Sequence, residues 1–256
     1  MGSAFELTVV AHDKAEAHEH IATAKNEIER IELLISSWNS NSETSSINQN
    51  AGIMPVEVSK ELWDLIDRSQ QISKITSGAF DLTFAAVDQI WKFDGSDAVM
   101  PDADLIEASV SKIGYNQVQL NKEQSTVFLP QKGMKIGFGA IGKGYAADRA
   151  KQLLVARGVE GGIINASGDM NTWGTQPDGS PWTIGIINPM NKEKVFSWFS
   201  LEHNAVVTSG NYEKFIRIDG KRYSHIIDPR TGIPSNGIIS CTIFASKTEL
   251  ADALAT

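Results

Sequence analysis

At 256 residues the chain suffices for one large domain or two small ones, and at that size about 70–75% of the unfolded surface is buried without a covalent staple. Apolar residues make up 41% and charged residues 21%, which excludes global disorder and collagen. The 23 Lys and Arg against 31 Asp and Glu leave a net charge of −8, which argues against a general nucleic-acid or anionic-membrane surface.

A single cysteine, Cys241, excludes an internal disulfide framework and a Cys-based zinc knuckle. No run reaches the roughly 18 apolar residues of a membrane span. The opening Met1-Gly2-Ser3-Ala4-Phe5 lacks the basic-then-apolar pattern of a signal peptide; an exported protein without its leader reads the same way. The chain stops at Ala251-Asp252-Ala253-Leu254-Ala255-Thr256, in mid-pattern for a helix, so a C-terminal part is expected to be missing.

In chain order, Phe5–Ala11 predicts a short strand. A helix follows from about Asp13 to Ser36, with Ile21, Ala24, Ile28, Ile31 and Ile35 at spacings of three and four. Its other face carries Glu16, Glu19, Lys25, Glu27 and Arg30 and reads as solvated. His18 and His20 at i,i+2 do not share a helix side, so with His12 they read as exposed histidines. Ser36 to Ser46 is a polar loop holding Trp38, either a linker or an aromatic-bearing ligand loop.

A second helix is expected from about Ser59 to Ile75, with Leu62, Leu65, Ile66, Ser69 and Ile72 inward. Gly78-Ala79-Phe80-Asp81 breaks the pattern before a helix to about Trp91. Asp102 caps another helix through Ile113, closed by Gly114. The period then changes to two: Gln117–Asn121, Thr126–Leu129 and Lys135–Phe138 read as an antiparallel meander. The glycine-rich stretch 137–144 opens a helix ending near Gly158. Strands follow at Gly162–Ala166, Trp182–Ile187, Val195–Glu202 and Ala205–Thr208, then a hairpin Phe215–Ile227 turned at Asp219-Gly220. A last strand, Ile238–Ala245, leads into a helix from Thr248. Helices early and strands late, without repeats, fit an α+β fold.

Three segments carry chemistry. Gly137-Phe138-Gly139-Ala140-Ile141-Gly142 matches G-x-G-x-x-G, and through Lys143 most of a P-loop. Position 144 is Gly where a P-loop needs Ser or Thr for Mg²⁺. A dinucleotide fold would need an acid ending the second strand about 20 residues on, whereas Glu160 precedes the next strand. A phosphate-binding helix start and a tight strand–helix turn therefore both stay open. His225-Ile226-Ile227-Asp228-Pro229-Arg230-Thr231-Gly232 packs a base, an acid and a cation into a rigid turn, which reads either as a structural turn with an Asp cap and Arg pair or, since His225 leaves a strand directly into it, as a usual place for a general base. Asp252 and Thr256 at i,i+4 share one helical face, and a carboxylate with a hydroxyl suits a hard cation such as Mg²⁺, although such a pair on its own is usually incidental surface chemistry.

Together these segments resemble the ApbE family, the FAD:protein FMN transferases. Gly139-Ala140-Ile141-Gly142-Lys143-Gly144-Tyr145-Ala146-Ala147-Asp148 is similar to its G-A-I-x-K-G-Y-A-x-D signature. Thr208-Ser209-Gly210 and then His225 through Gly232 resemble T-S-G followed by the H-x-I-D-P-x-T-G box. Asp252-Ala253 through Thr256 resembles A-D-A-x-x-T, Gly78 to Asp81 the G-A-F-D box, and Met1 to Phe5 the M-G-T-x-[FY] opening. The order matches from end to end.

The resemblance implies one catalytic domain over residues 1–256, helix-rich from about 12 to 115 and strand-rich thereafter. It also implies a T-fold-like α+β architecture of two lobes, with mixed, mainly antiparallel sheets and FAD between the lobes. It assigns a Mg²⁺ to Asp252 and Thr256 through side chains and to Ala140 through its carbonyl. FAD contacts fall to Met1, Trp38, Ala79, Phe80, Asp81, Lys143 and Ile227, and the candidate bases are His225 and Asp228. The implied reaction moves FMN from FAD to a Thr or Ser hydroxyl of an acceptor flavoprotein subunit of a membrane redox complex, releasing AMP. Alternatives are hydrolysis of FAD to FMN and AMP, and a non-catalytic flavin carrier. The implied location is periplasmic or extracytoplasmic, with a lipoprotein anchor compatible with a full-length form.

Departures from the family pattern are Gly137 where an Asp is usual, Ala255 where many members carry another Asp, and Ser3 for Thr. Met1-Gly2-Ser3 reads equally as a native start or an expression scar. Members usually continue past A-D-A-x-x-T, in line with the expected missing C-terminal part.

Overall fold

The computed structural model describes residues 3–87, 90–91, 93, 99–201, 205–211 and 214–256. Its elements in order begin with β1 (Phe5–Val9), α1 (Lys14–Ile35), α2 (Glu43–Gln49), β2 (Val56–Glu57), α3 (Lys60–Ile75) and α4 (Ala103–Val110). Then come β3 (Gln119–Asn121), β4 (Thr126–Phe128), α5 (Gly142–Ala156), β5 (Gly162–Ala166) and β6 (Asp169–Trp173). They are followed by β7 (Trp182–Asn188), β8 (Asn191–Leu201), β9 (Ala205–Gly210), β10 (Phe215–Ile218) and β11 (Lys221–Ser224). The chain closes with β12 (Ile227–Asp228), β13 (Ile233–Pro234), β14 (Ser240–Ala245) and α6 (Thr248–Ala255). Among the described residues no helix is long and apolar enough to cross a membrane.

The chain forms two compact units, each assembled from segments far apart in sequence. The first comprises Met1–Glu32, Ile141–Gly210 and Ser240–Thr256. Its centre is a five-stranded antiparallel sheet in the order β1-β5-β6-β9-β14. Strand β6 runs through the middle, with Asp169 opposite Ala166 on one side and Val207 on the other. Helices α5 and α6 lie against this sheet and each other. Ala251 and Ala255 of α6 are buried with Val207; small side chains there let the helix sit close to the strands. The hairpin β7–β8 packs Ile184 and Leu201 against Val206 and Met170.

The second unit comprises Leu33–Ala140 and Asn211–Ile239. Helix α3 buries Leu62, Leu65, Ile66, Ser69 and Ile72, the face its periodicity predicts. Ser59 caps it by accepting the Leu62 N–H, and Asp102 caps α4 by accepting the Asp104 N–H. A satellite core gathers Trp91, Ile106, Ile216 and Ile218, with Ile227 and Ile233 packed on its margin.

Three local expectations fail here, the first two because a side chain satisfies the backbone. The end of the polar stretch expected to be loop, from Glu43 on, becomes the start of α2, because Ser42 accepts the Ser45 N–H at 2.9 Å as N-cap and Thr44 Oγ1 donates to the Leu34 carbonyl at 3.1 Å. Lys135–Phe138 is not a strand: Asn48 exchanges two hydrogen bonds with Ile136, at 2.8 and 3.0 Å, and occupies the groups a strand neighbour would use. The third strand of that small sheet is β2 instead, in the order β2-β4-β3. The helix expected up to Trp91 is a short 3₁₀ stretch, Leu82–Val87, with residues 88 and 89 outside the described set.

Candidate functional site

The first unit concentrates buried charge where α5, β6 and α6 meet. Asp169 and Asp252 are 2% and 1% exposed. Lys143, in the first turn of α5, places its ammonium against Asp169 Oδ2 and 3.2 Å from Asp252 Oδ1. Burial pulls the lysine's pKa down, but Asp252 and then Asp169 outweigh it and the net shift is upward. Asp169 is pushed up to about 7, by burial first and by the neighbouring Asp252 second, against the lowering influence of Lys143. Two carboxylates facing one ammonium leave a buried excess of negative charge whenever both are ionised, an arrangement a further cation would relieve.

Thr256 joins this cluster at its edge. Its Oγ1 donates to the Asp252 carbonyl at 3.1 Å and lies 3.3 Å from Ser209 Oγ. Among the described residues no group of three or more His, Cys, Asp or Glu forms a ready-made metal cage. What the unit does offer is oxygen alone, two carboxylates and two hydroxyls, the donor chemistry of a hard cation. Asp252 accepts from Lys143 through one oxygen and from the Gly144 N–H through the other. The residues present therefore fit Mg²⁺. Ala140 closes a segment of the second unit and is half-buried.

The glycine-rich segment is resolved by the same contacts. The Gly144 N–H at the start of α5 donates to Asp252 Oδ2 at 3.1 Å, so the anion at this helix start is a carboxylate of the chain itself. A Cβ on Gly144 would lie 2.3 Å from the Thr248 carbonyl oxygen, so the glycine is there to let the backbones of α5 and α6 approach. Gly144→Ala is expected to destabilise the chain by about 1–3 kcal/mol or more, because the opposing atom is backbone and cannot rotate away. Urea denaturation reads the loss, and an unchanged midpoint overturns this account.

In the second unit Asp81 is buried and fully engaged. Oδ1 accepts from the Thr83 N–H and Oγ1 at 2.8 and 2.7 Å, and Oδ2 accepts from the Tyr115 N–H at 2.9 Å. Burial raises its pKa in spite of these bonds. Asp81 thus braces the loop that carries Ala79, which is exposed, and Phe80, which is buried. Asp81→Ala strands three donors, and a loss of about 3 kcal/mol in unfolding free energy is expected; a thermal melt within a degree of the parent would contradict it. Trp38 is 83% exposed, on a loop fixed by Ser36 Oγ accepting the Trp38 and Asn39 N–H groups. Met1 lies outside the described residues.

The second unit's histidine turn separates the two candidate bases. Asp228 is held in a bidentate pair by Arg230, both contacts at 2.8 Å, and Arg230 holds its carboxyl below the usual range. His225 is exposed, with Nδ1 3.2 Å from the Lys214 carbonyl oxygen and the ring edge-on to Phe93. A carbonyl only accepts, so this contact places the proton on Nδ1 and leaves the lone pair on Nε2. Ile227 pairs with Pro234 across β12 and β13 and packs on the Trp91 cluster.

The ApbE family model matches residues 1–256, the whole chain. This chain belongs to the ApbE family. A relative from Klebsiella pneumoniae (strain 342) named FAD:protein FMN transferase is 34% identical over 248 residues, 96% of this chain and 75% of the relative. Another of that name, from Treponema pallidum (strain Nichols), is 32% identical over 94% of this chain and 71% of its own length. The crystal structure of the ApbE protein from Thermotoga maritima superposes with a TM-score of 0.92 at 32% identity, covering 99% of this chain and 82% of that one. The flavin transferase ApbE from Vibrio cholerae gives 0.88 at 26% identity, covering 100% and 82%. The α+β architecture expected from the sequence is thus the ApbE fold.

Asp169 does not figure in the sequence motifs of this ApbE chain, and Asp148 figures only as the last residue of the G-A-I-x-K-G-Y-A-x-D signature, without a role. Asp148 accepts from Asn171 Nδ2 at 2.6 Å and from the Thr248 and Glu249 N–H groups, both at 2.9 Å. The signal for Asp169 was available in Ser167-Gly168, a turn dipeptide that reverses β5 into β6 with both residues at positive φ. Recognising that hairpin would have put Asp169 at the head of a central strand.

Proposed function

We propose that this chain transfers the FMN moiety of FAD to a Thr or Ser hydroxyl of an acceptor flavoprotein in a Mg²⁺-dependent reaction that releases AMP. The observation that carries this reading is the buried pair Asp252 and Asp169 around Lys143, with the exposed Thr256 hydroxyl at its edge. The names of the 34% and 32% identical relatives support it.

Asp252 and Thr256 would hold the cation through side-chain oxygens. When bound, Mg²⁺ supplies charge neutralisation on a pyrophosphate. Trp38 offers an exposed aromatic face on which a flavin or adenine ring can stack, worth about 0.5–1.5 kcal/mol beyond buried area. His225 takes the proton from the acceptor hydroxyl as its oxygen bonds to the flavin-side phosphorus. The bond from that phosphorus to the bridging oxygen breaks, and AMP leaves with the bridging oxygen. The acceptor we assign is a flavoprotein subunit of a membrane redox complex, and the setting we assign is extracytoplasmic; both follow from the resemblance.

The test is incubation with FAD, Mg²⁺ and an acceptor domain, followed by the acceptor's intact mass. A gain of one FMN unit, abolished by EDTA, is the expected result. FMN and AMP appearing with no mass gain would replace transfer by hydrolysis. Flat calorimetry with FAD would sink every flavin reading of the chain.

A further inference from the structure

We infer that Asp148 is a positioning residue for the metal-holding helix: it caps the N-terminus of α6 from outside and so fixes where Asp252 stands. The inference rests on the metal reading above.

The residue preceding α6, Lys247, makes no side-chain capping bond, so the first N–H groups of the helix need another acceptor. Asp148 supplies it. Its two oxygens take the Thr248 and Glu249 N–H groups, one each, both at 2.9 Å. The exchange is reciprocal, because Asp252 of α6 takes the Gly144 N–H of α5 at 3.1 Å. Each helix is therefore capped by a carboxylate of the other, and the gap left by Gly144 is what lets the two starts come together.

The sheet locks this pair in place. Asp169 and Asn171 stand two apart on β6 and so point to one face. Asp169 meets Lys143, and Asn171 donates to Asp148 Oδ1 at 2.6 Å. Lys151 in turn donates to Asn171 Oδ1 and the Thr172 carbonyl, both at 2.8 Å. Asp148 is buried with its oxygens committed in this way, and it reaches no ligand position itself. It acts on the metal site only through the α6 backbone, one turn ahead of Asp252.

The experiment compares wild type, Asp148→Ala, Asp148→Asn and Asn171→Ala by amide hydrogen exchange and by calorimetric Mg²⁺ titration in the presence of FAD. Asp148→Ala is expected to lose protection at Thr248 and Glu249 while Ile164 in β5 keeps its protection. Its Mg²⁺ affinity is expected to fall about 10–100-fold, the usual effect of losing a group that orients a metal ligand. The Mg²⁺ concentration for half-maximal turnover should rise in parallel, with turnover at saturating Mg²⁺ within about threefold of wild type. Asp148→Asn, which keeps one accepting oxygen, should fall between wild type and Ala and guards against an Ala variant that fails to fold. Asn171→Ala leaves both bonds to α6 in place and only loosens Asp148, so its Mg²⁺ affinity should fall far less than that of Asp148→Ala. Equal Mg²⁺ affinity in wild type and both Asp148 variants, or unchanged exchange at Thr248 and Glu249, overturns the positioning role. An equal loss in Asn171→Ala reduces it to general stability, which also overturns it. A wild type that takes up no Mg²⁺ refutes the metal reading and removes the inference with it.

Discussion

Asp252→Ala should lower turnover by roughly 10³-fold or more, about 4 kcal/mol of transition-state stabilisation. The residue is 1% exposed, so its carboxylate is not one surface charge among many. It answers the Lys143 ammonium at 3.2 Å and the Gly144 N–H at 3.1 Å, and with Thr256 it is the proposed seat of Mg²⁺. The alanine variant removes all three functions together, so its stability falls as well, and the activity loss by itself does not isolate the metal. Asp252→Asn does. The amide keeps an oxygen for the Gly144 N–H and the volume of the carboxylate, but not the charge. The expected result is an Asn variant that melts near wild type and is nearly as inactive as Ala. Full activity of the wild type in excess EDTA, or an Asn variant with wild-type turnover, would remove metal dependence from the mechanism.

The features that could be read locally were the ones the chain decides locally. Asp102 and Ser59 cap helices as their side-chain chemistry dictates, and β5 has the bounds its apolar run predicts. The tight Asp219-Gly220 turn, both residues at positive φ, closes the hairpin of β10 and β11. What escaped depends on partners distant in sequence. Strand β6 shows no alternation, because Asp169, Asn171, Thr172 and Trp173 are all buried, and a strand packed on both faces loses its period of two. The Lys143–Asp169–Asp252 cluster joins residues brought together by the order β5-β6-β9-β14 and by α6 lying on those strands, and no spacing rule contains that order. Motif matching found Lys143 and Asp252 because the family signature names them. It does not contain the seating of the Lys143 ammonium between two acids, which only the fold brings about. Gly137 shows the same limit from the other side. Where the family usually has an acid, a Cβ would lie 2.9 Å from Ala85 Cβ, a closeness that only the folded neighbourhood reveals.

His225→Ala should cut turnover by about 10²–10⁴-fold while leaving FAD affinity nearly intact, the range a general base contributes. The turn offers two candidates, and their surroundings differ. Asp228 is gripped by Arg230 through both oxygens, at 2.8 Å each, and the guanidinium lowers its pKa. A carboxylate made less basic in this way is a poor acceptor for a hydroxyl proton. His225 has its Nδ1 directed at the Lys214 carbonyl, 3.2 Å away, which sets the tautomer and turns Nε2 into the basic atom. A histidine that merely braced the turn would behave differently: its loss would lower stability and FAD binding together, because Trp91 Nε1 anchors the same turn at the Gly232 carbonyl. Measuring turnover, FAD affinity and melting temperature on one variant therefore separates base from brace. Asp228→Asn completes the pair. It should weaken the Arg230 contact and lower stability modestly, with turnover falling far less than in His225→Ala. If His225→Ala keeps full turnover and Asp228→Asn does not, the proton goes to Asp228, and the Arg230 pair must open during the reaction.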